Sequence, residues 1–170
     1  IHNALVETML INGDNRVKYG VRVYNAGELM LLRDLHIQRF TKSGIWLAGA
    51  HATMQLENIE VNMSGDYALR ISKHPVYSGS GGQVKIYGLS GDVNTNGHVL
   101  VNCNTILMID GLKAESVPNG TTNIVLLTSL PYDADCFNNQ ELTLSSEIVL
   151  ALRNVRVNTV TTNLNFVAIT

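Results

Sequence analysis

The chain has 170 residues and a mass of 18.6 kDa, a length typical of one domain. Its 12 basic and 14 acidic residues make up only 15 % of the chain and leave a formal net charge of −2. This composition excludes a highly charged disordered chain, and it lacks the broad basic footprint that binds nucleic acid. No window approaches the roughly 18 consecutive apolar residues of a membrane span. We therefore expect neither nucleic-acid binding nor membrane insertion.

The two ends of the chain look like cuts within a longer sequence. It begins with Ile1 rather than Met, and it ends with Thr170 inside a strand-like run. Its start has neither the basic segment nor the apolar core of a signal peptide. We expect residues 1–170 to form a single domain that is a fragment of a longer protein.

A six-residue pattern recurs along the chain: apolar, variable, then Asp, Asn or Gly, then apolar, variable, apolar. Clear copies occupy 32–37, 56–61, 109–114 and 152–157, and looser copies occupy 6–11 and 86–91. Successive copies start 26, 24, 30, 23 and 43 residues apart. Because the last step is nearly two ordinary ones, it predicts one irregular turn within residues 128–147.

A second, alternating pattern follows each copy of the first by 11 to 14 residues. It occupies 20–23, 44–47, 68–71, 97–101, 123–126 and 163–166, and it usually begins with Gly or Asn. Such alternation is typical of strands, and no segment keeps helical spacing over three turns. Two or three short strands in about 24 residues predict a parallel β-solenoid, whose stacked coils share one dry core.

The third position of the first pattern is predicted to be a bend. From coil to coil it is occupied by Thr8, Asp34, Asn58, Gly88, Gly111 and Asn154. Asn, Asp and Gly tolerate left-handed backbone torsions, and stacked Asn side chains hydrogen-bond from coil to coil. This explains part of the high count of 18 asparagines without invoking function.

This repeat resembles the right-handed parallel β-helices of the pectin-lyase type, and within that class the shafts of bacteriophage tailspike and tail-fibre proteins. The resemblance covers nearly the whole chain and rests on the shape of the repeat, not on a family-specific motif. It implies an all-β fold, a right-handed single-stranded parallel β-helix of about six or seven coils. It also implies a homotrimer, on the virion tail or otherwise extracellular, that recognises and often cleaves bacterial surface polysaccharide.

Outward residues of stacked coils should form columns, and one column carries most of the candidate chemistry. It consists of Glu7, Arg33, Glu57, Tyr87, Asp110 and Arg153. One interpretation is a solvated ion-pair ladder that adds little stability. The other is a sugar-binding groove with Tyr87 and Arg33 as binding residues and Glu57 and Asp110 as catalytic acids. Two coils separate these acids, about 9.6 Å, which suits the roughly 5–10 Å that glycoside hydrolysis requires.

The adjacent column offers a different pair of acids. It consists of Leu10, His36, Glu60, Ser90, Lys113 and Arg156. Glu60 lies diagonal to Glu57 across the bend at Asn58. The two carboxylates either share a site or are splayed apart by the bend.

A third column surrounds the single tryptophan. It consists of Arg22, Trp46, Arg70, Leu100, Val125 and Asn165. Trp46 between two arginines is either an intramolecular cation–π stack or, with Arg70, a saccharide platform. Leu100 and Val125 continue it as apolar surface, which suggests a partner. A further outward column, Leu31, Gln55, Lys85, Met108 and Ala151, is also partly apolar, so a homotrimer is credible.

Two longer loops interrupt the repeat, at 72–83 and 128–141. The second contains Tyr132 and Asp133, which are candidates for substrate binding because loops on a rigid scaffold often bind ligands. Asp133 and Asp135 suggest calcium, against the alternative of a merely solvated loop. The five histidines show no zinc-ligand spacing, so we expect no metal and no cofactor. Cys103 lies beside an apolar run and is expected to be a reduced, buried thiol.

Three functions of different kinds follow from these patterns. The first is the β-helical part of a viral adhesin that trimerises and binds carbohydrate. The second is a glycanase or polysaccharide lyase acting on capsular or O-antigen glycan, with acids among Glu57, Glu60 and Asp110. The third is a rigid spacer whose side-chain ladders only stabilise the rod.

Overall fold

The strands of this chain form two separate sheets, and consecutive strands alternate between them. The structure is a computed structural model, and it describes residues 4–24, 29–48, 53–72, 82–103, 105–128, 148–159 and 164–170. These residues form twelve strands and no helix: β1 (Ala4–Asn12), β2 (Val21–Tyr24), β3 (Met30–Phe40), β4 (Ile45–Ala48), β5 (Thr53–Ser64), β6 (Tyr67–Ser72), β7 (Gln83–Asp92), β8 (Gly97–Asn102), β9 (Ile106–Val117), β10 (Asn123–Leu127), β11 (Val149–Thr159) and β12 (Asn165–Ile169).

Each repeat contributes one strand to each sheet. The long-strand sheet has the order β1-β3-β5-β7-β9-β11 with strands of 9 to 12 residues, and the short-strand sheet runs β2-β4-β6-β8-β10-β12 with strands of 4 to 6 residues. All neighbouring strands are parallel. The chain therefore winds as a parallel β-solenoid, which confirms the all-β parallel solenoid of the predicted fold class. The right-handed winding stays a prediction.

The core lies between the two sheets and is built from equivalent residues of successive repeats. Leu32, Leu56, Ile86 and Ile109 pair in register across four neighbouring strands, and all are completely buried. Burying one such side chain contributes about 1.5–3 kcal/mol. Cys103 belongs to the same core, so its predicted burial is confirmed. No repeat buries its apolar residues alone, since each inward side chain needs the repeats on either side.

The predicted bends of the long-strand sheet are confirmed at every repeat. All six positions have left-handed torsions: Thr8 (φ 54°), Asp34 (53°), Asn58 (50°), Gly88 (80°), Gly111 (84°) and Asn154 (50°). The Asn58 amide donates to Asp34 Oδ1 at 2.8 Å, so side chains also join neighbouring bends. The bend interrupts the strict in–out alternation, and apolar side chains on both sides of it therefore reach the core.

The prediction of an extra turn of the solenoid within residues 128–147 is wrong, because no additional strand lies between β9 and β11. Strand β11 pairs directly with β9, and Arg153 lies in register with Asp110. The 43-residue step therefore adds no strand to the long-strand sheet between them. Residues 129–147, which include Tyr132, Asp133, Asp135 and Cys136, lie outside the described residues.

The third predicted column is correct only as far as Leu100. Arg22, Trp46, Arg70 and Leu100 pair in register. Leu100 then pairs with Leu126, which pairs with Ala168, whereas Val125 pairs with Val99. The prediction was shifted by one residue at Val125, because it aligned Asn123 with the glycines that precede the earlier strands, and by three residues at Asn165. Val125 is therefore a core residue, and Asn165 pairs with Asn123.

Candidate functional site

The outer face of the long-strand sheet carries the two predicted columns of charged residues, and both are confirmed. The first runs in register through Glu7, Arg33, Glu57, Tyr87, Asp110 and Arg153, and the second through Leu10, His36, Glu60, Ser90, Lys113 and Arg156. The long connection before β7 does not shift this register. Glu57 and Asp110 are therefore two strand spacings apart, about 9.6 Å between backbones.

The predicted acids Glu57 and Asp110 are both hydrogen bonded by amides of the same face. Gln55 Nε2 donates to Glu57 Oε1. Asn154 Nδ2 donates to Asp110 Oδ1 at 2.7 Å. Both carboxyl groups are thus held on the face with Tyr87 between them in the column, and each retains an oxygen to accept a ligand hydroxyl.

Glu60, the third predicted acid, has a separate set of partners. His36 Nδ1 lies 3.1 Å from Glu60 Oε2, and Asn62 Nδ2 donates to Oε1 at 2.7 Å. Both oxygens of Glu60 are therefore engaged on the side of the bend away from Glu57. This geometry favours the splayed arrangement over a shared Glu57–Glu60 site.

Arg33, predicted to bind substrate, is paired within the face. It forms an ion pair with Glu7, and its Nε lies 3.8 Å from Asp34. The hydrogen bond and charge of Glu7 raise the pKa of the Arg33 guanidinium. At the β1–β3 end, the column is therefore the ion-pair ladder of the first interpretation, and such exposed pairs contribute little stability.

Tyr87 offers the aromatic surface of this face. Its side chain is 41 % exposed on β7, directly between Glu57 and Asp110 in the register. A tyrosine on a sheet loses little further freedom on binding, and its ring combines an apolar face with a polar tip. Ring, carboxylates and amides together offer a face for stacking on a sugar and acceptors for its hydroxyl groups.

Trp46 is not a saccharide platform. It is only 1 % exposed, because Tyr19, Tyr24 and the guanidinium groups of Arg22 and Arg70 cover its ring. The guanidinium carbons lie 5.0 Å and 4.7 Å from the ring centroid, above and below as the register predicts. The Trp46 indole donates to Ser72 Oγ at 2.6 Å. The intramolecular cation–π stack is the correct interpretation.

Arg70 and Leu100 are also absent from the surface. Both are completely buried, although their side chains point away from the core between the sheets. The outer side of the central short strands is covered, because β4, β6 and β8 are buried along their whole length. The predicted substrate role of Arg70 and the predicted apolar interaction stripe at Leu100 and Val125 are therefore wrong.

Two outward groups on β9 and β11 each combine residues of different columns, and of their members only Met108 and Ala151 were predicted to belong to an interaction surface. One is cationic and consists of Lys113, Arg153 and Arg156; the other is apolar and consists of Ile106, Met108, Val149 and Ala151. Both could be found only by combining columns across strands, since no member stands out in its own segment. Among the described residues, no group of three metal-binding side chains comes together.

Comparisons with known proteins assign no family to this chain, so its class is defined by the fold. No family model matches the chain, and neither a curated protein nor a solved structure matches it at a significant level. Within the described part of the chain there is no helix long and apolar enough to cross a membrane. The class that sequence and structure define is the parallel β-solenoid.

Proposed function

We propose that this chain is the β-solenoid part of a viral tailspike or tail-fibre adhesin that acts outside the cell. It forms a homotrimer and binds bacterial surface polysaccharide on the outer face of the long-strand sheet. The observation that carries the proposal is the exposed Tyr87 ring between the in-register carboxylates of Glu57 and Asp110. Apolar ring faces stack on sugars, while carboxylates accept hydrogen bonds from hydroxyls.

Two further features support binding over a purely mechanical role. The face extends over six strands within the described residues, so it suits a chain-like ligand. Its side chains are held by amide hydrogen bonds, as at Asp110, and a site held in place loses less freedom when it binds. A spacer needs neither an exposed aromatic ring nor positioned hydrogen-bond acceptors.

The test is retention of the chain on immobilised bacterial capsular and O-antigen polysaccharides, with variants of Tyr87. Tyr87→Ala is expected to weaken binding about tenfold, a loss of roughly 1.4 kcal/mol, while Tyr87→Phe keeps most of it because stacking survives. Unchanged thermal melting of both variants is the control for folding. If no glycan is retained, or if Tyr87→Ala binds glycan as tightly as the parent chain, the proposal is wrong. The results would then favour the hypothesis of a rigid spacer.

A catalytic version of this function is favoured by one observation, the spacing of Glu57 and Asp110. Their backbones are two strand spacings apart, about 9.6 Å, and side chains that lean towards each other would bring the carboxyl groups into the range of roughly 6.5–9.5 Å that inverting glycosidases use. If the chain is a glycanase, it should release reducing ends from a bound polysaccharide. This activity should be lost in Glu57→Gln and in Asp110→Asn. Glu7→Gln, in the same column, is the matched control. Full activity in both acid variants would exclude these residues.

A further inference from the structure

The cationic group of Lys113, Arg153 and Arg156 lies at one end of the long-strand sheet. Arg153 and Arg156 flank the bend of β11, and Lys113 lies on β9 in register with Arg156. All three side chains are exposed. We call this group the basic patch.

Neighbouring carboxylates pair with one of the three charges of the basic patch and leave the two arginines without an ion pair among the described residues. Lys113 Nζ pairs with Glu115 at 2.9 Å. In the part of the chain that the structure describes, no carboxylate lies within ion-pair distance of Arg153 or Arg156. Asp110, the register partner of Arg153, is instead hydrogen bonded by Asn154.

Lys113 and Arg156 place like charges in register on neighbouring strands, and Glu115 offsets only that of Lys113. Register partners on neighbouring strands are about 4.8 Å apart, and like charges directly opposite each other destabilise a sheet. An anion bound between them would remove this repulsion. Arginine is well suited to that role, because its planar group binds a carboxylate, sulfate or phosphate in two parallel hydrogen bonds.

The opposite end of the same face would not attract an anion. Strands β1, β3 and β5 place Glu7, Glu57 and Glu60 outward, against Arg33 and His36, and Asp34 lies at the bend between them. Both Arg33 and His36 contact glutamates there. The β1–β5 end thus has four carboxylates against the guanidinium of Arg33, whereas the β9–β11 end has three cations against Asp110 and Glu115. The face is more acidic at the first end and more basic at the second.

From this contrast we infer that the polysaccharide recognised by the face is acidic, and that the basic patch binds its anionic substituents. The inference rests on the proposed function, since it names the class of glycan for the same face. Tyr87 and Arg153 belong to one column and are two strands apart, about 9.6 Å. A short oligosaccharide therefore reaches from the tyrosine ring to the patch.

The experiment compares each acidic polysaccharide with its own neutral form. Alginate, hyaluronate and chondroitin sulfate are offered to the chain beside carboxyl-reduced and desulfated preparations, with dextran and single-stranded DNA as further probes. The test variant is Lys113→Gln/Arg156→Gln. Arg16→Gln/Arg39→Gln is the control, because it removes the same two charges elsewhere on the exposed surface.

At least one acidic polysaccharide is expected to bind about tenfold more tightly than its neutral form, and the test variant to lose that difference. The control variant should retain it. The test variant should also melt no lower than the parent chain, because the substitutions remove repulsion. Equal loss in both variants would overturn the inference, since only net charge would then matter.

The remaining outcomes separate this inference from the proposed function. Tyr87-dependent binding that is equal for acidic and neutral forms overturns the acidic assignment and leaves the proposed function standing. Binding of DNA as tight as that of the acidic polysaccharides overturns the assignment to a glycan. Binding of no polysaccharide overturns both.

Discussion

At the scale of single residues, His98 is the clearest case of a polar side chain placed in a dry environment. Its ring is completely buried, and Nε2 lies 3.1 Å from the carbonyl oxygen of Gly91. Because a carbonyl only accepts, Nε2 carries the proton in the neutral ring. Nδ1 has no hydrogen-bond partner among the described residues. Burial lowers the pKa of His98 below 6.5, although Gly91 and Asp92 oppose the shift.

His98 is therefore expected to make the fold acid-sensitive. Its pKa is lower in the native than in the unfolded chain, so below about pH 6.5 the unfolded state binds more protons. Stability should fall as pH falls from there towards the native pKa, by at most about 1.4 kcal/mol per pH unit from this residue. Urea unfolding of the parent chain and of His98→Gln between pH 7.5 and 5 measures the effect.

The variant should show the weaker pH dependence, whatever its absolute stability. His36→Gln is the control, because His36 is a partly exposed histidine paired with Glu60. Parallel curves for the parent chain and His98→Gln would contradict the prediction.

At the scale of elements, the corner before β8 depends on a residue without a side chain. Gly97 has a φ of 142°, and a Cβ atom there would lie 2.1 Å from the backbone oxygen of Asn123. The neighbouring corner is tied by side chains, for example by Asn94 Nδ2 donating to the Val61 oxygen at 2.9 Å. An added side chain at Gly97 would therefore meet both an unfavourable backbone torsion and a clash with the Asn123 backbone oxygen.

Gly97→Ala is accordingly expected to destabilise the chain by about 2–5 kcal/mol, the sum of torsional strain and overpacking. Gly120→Ala separates the two causes. Gly120 also has a positive φ, 95°, but nothing lies within 4 Å of its added Cβ. Gly120→Ala should therefore lower the free energy of unfolding only by the torsional strain, about 1–2 kcal/mol. Chemical denaturation measures both, and equal losses would show that the contact with Asn123 is relieved without cost.

At the scale of the whole molecule, the surface suited to self-association is the second of the two apolar columns expected from sequence, widened by two further residues. The short-strand column is buried at Leu100. The long-strand sheet instead places Ile106 and Val149 in register on its outer face, 49 % and 47 % exposed, beside Met108 and Ala151. Adjacent apolar side chains on an exposed face are typical of an interface, and a rotationally symmetric trimer would bury this patch in each copy.

We expect a solution mass near three times 18.6 kDa by size exclusion with multi-angle light scattering. Ile106→Lys/Val149→Lys should reduce it to that of one chain, with an unchanged β-sheet circular dichroism spectrum, because two charges would be buried in the interface. Val17→Lys/Val93→Lys is the matched control, since both valines are exposed elsewhere. A single-chain mass at every concentration would rule out the homotrimer.

The sequence alone determined the strands, their parallel stacking and the left-handed bends, because these follow from local periodicity and from side chains that tolerate positive φ. The two charged columns were predictable for the same reason, since register within a repeat propagates from strand to strand. Only the tertiary structure decided which outward residues meet solvent. Trp46 is buried by residues distant in sequence, Arg70 and Leu100 are buried as well, and a shift of one residue moved Val125 into the core. The exposure of a side chain and the balance of charge around it depend on neighbouring residues from several repeats. The sequence of one segment therefore does not determine them.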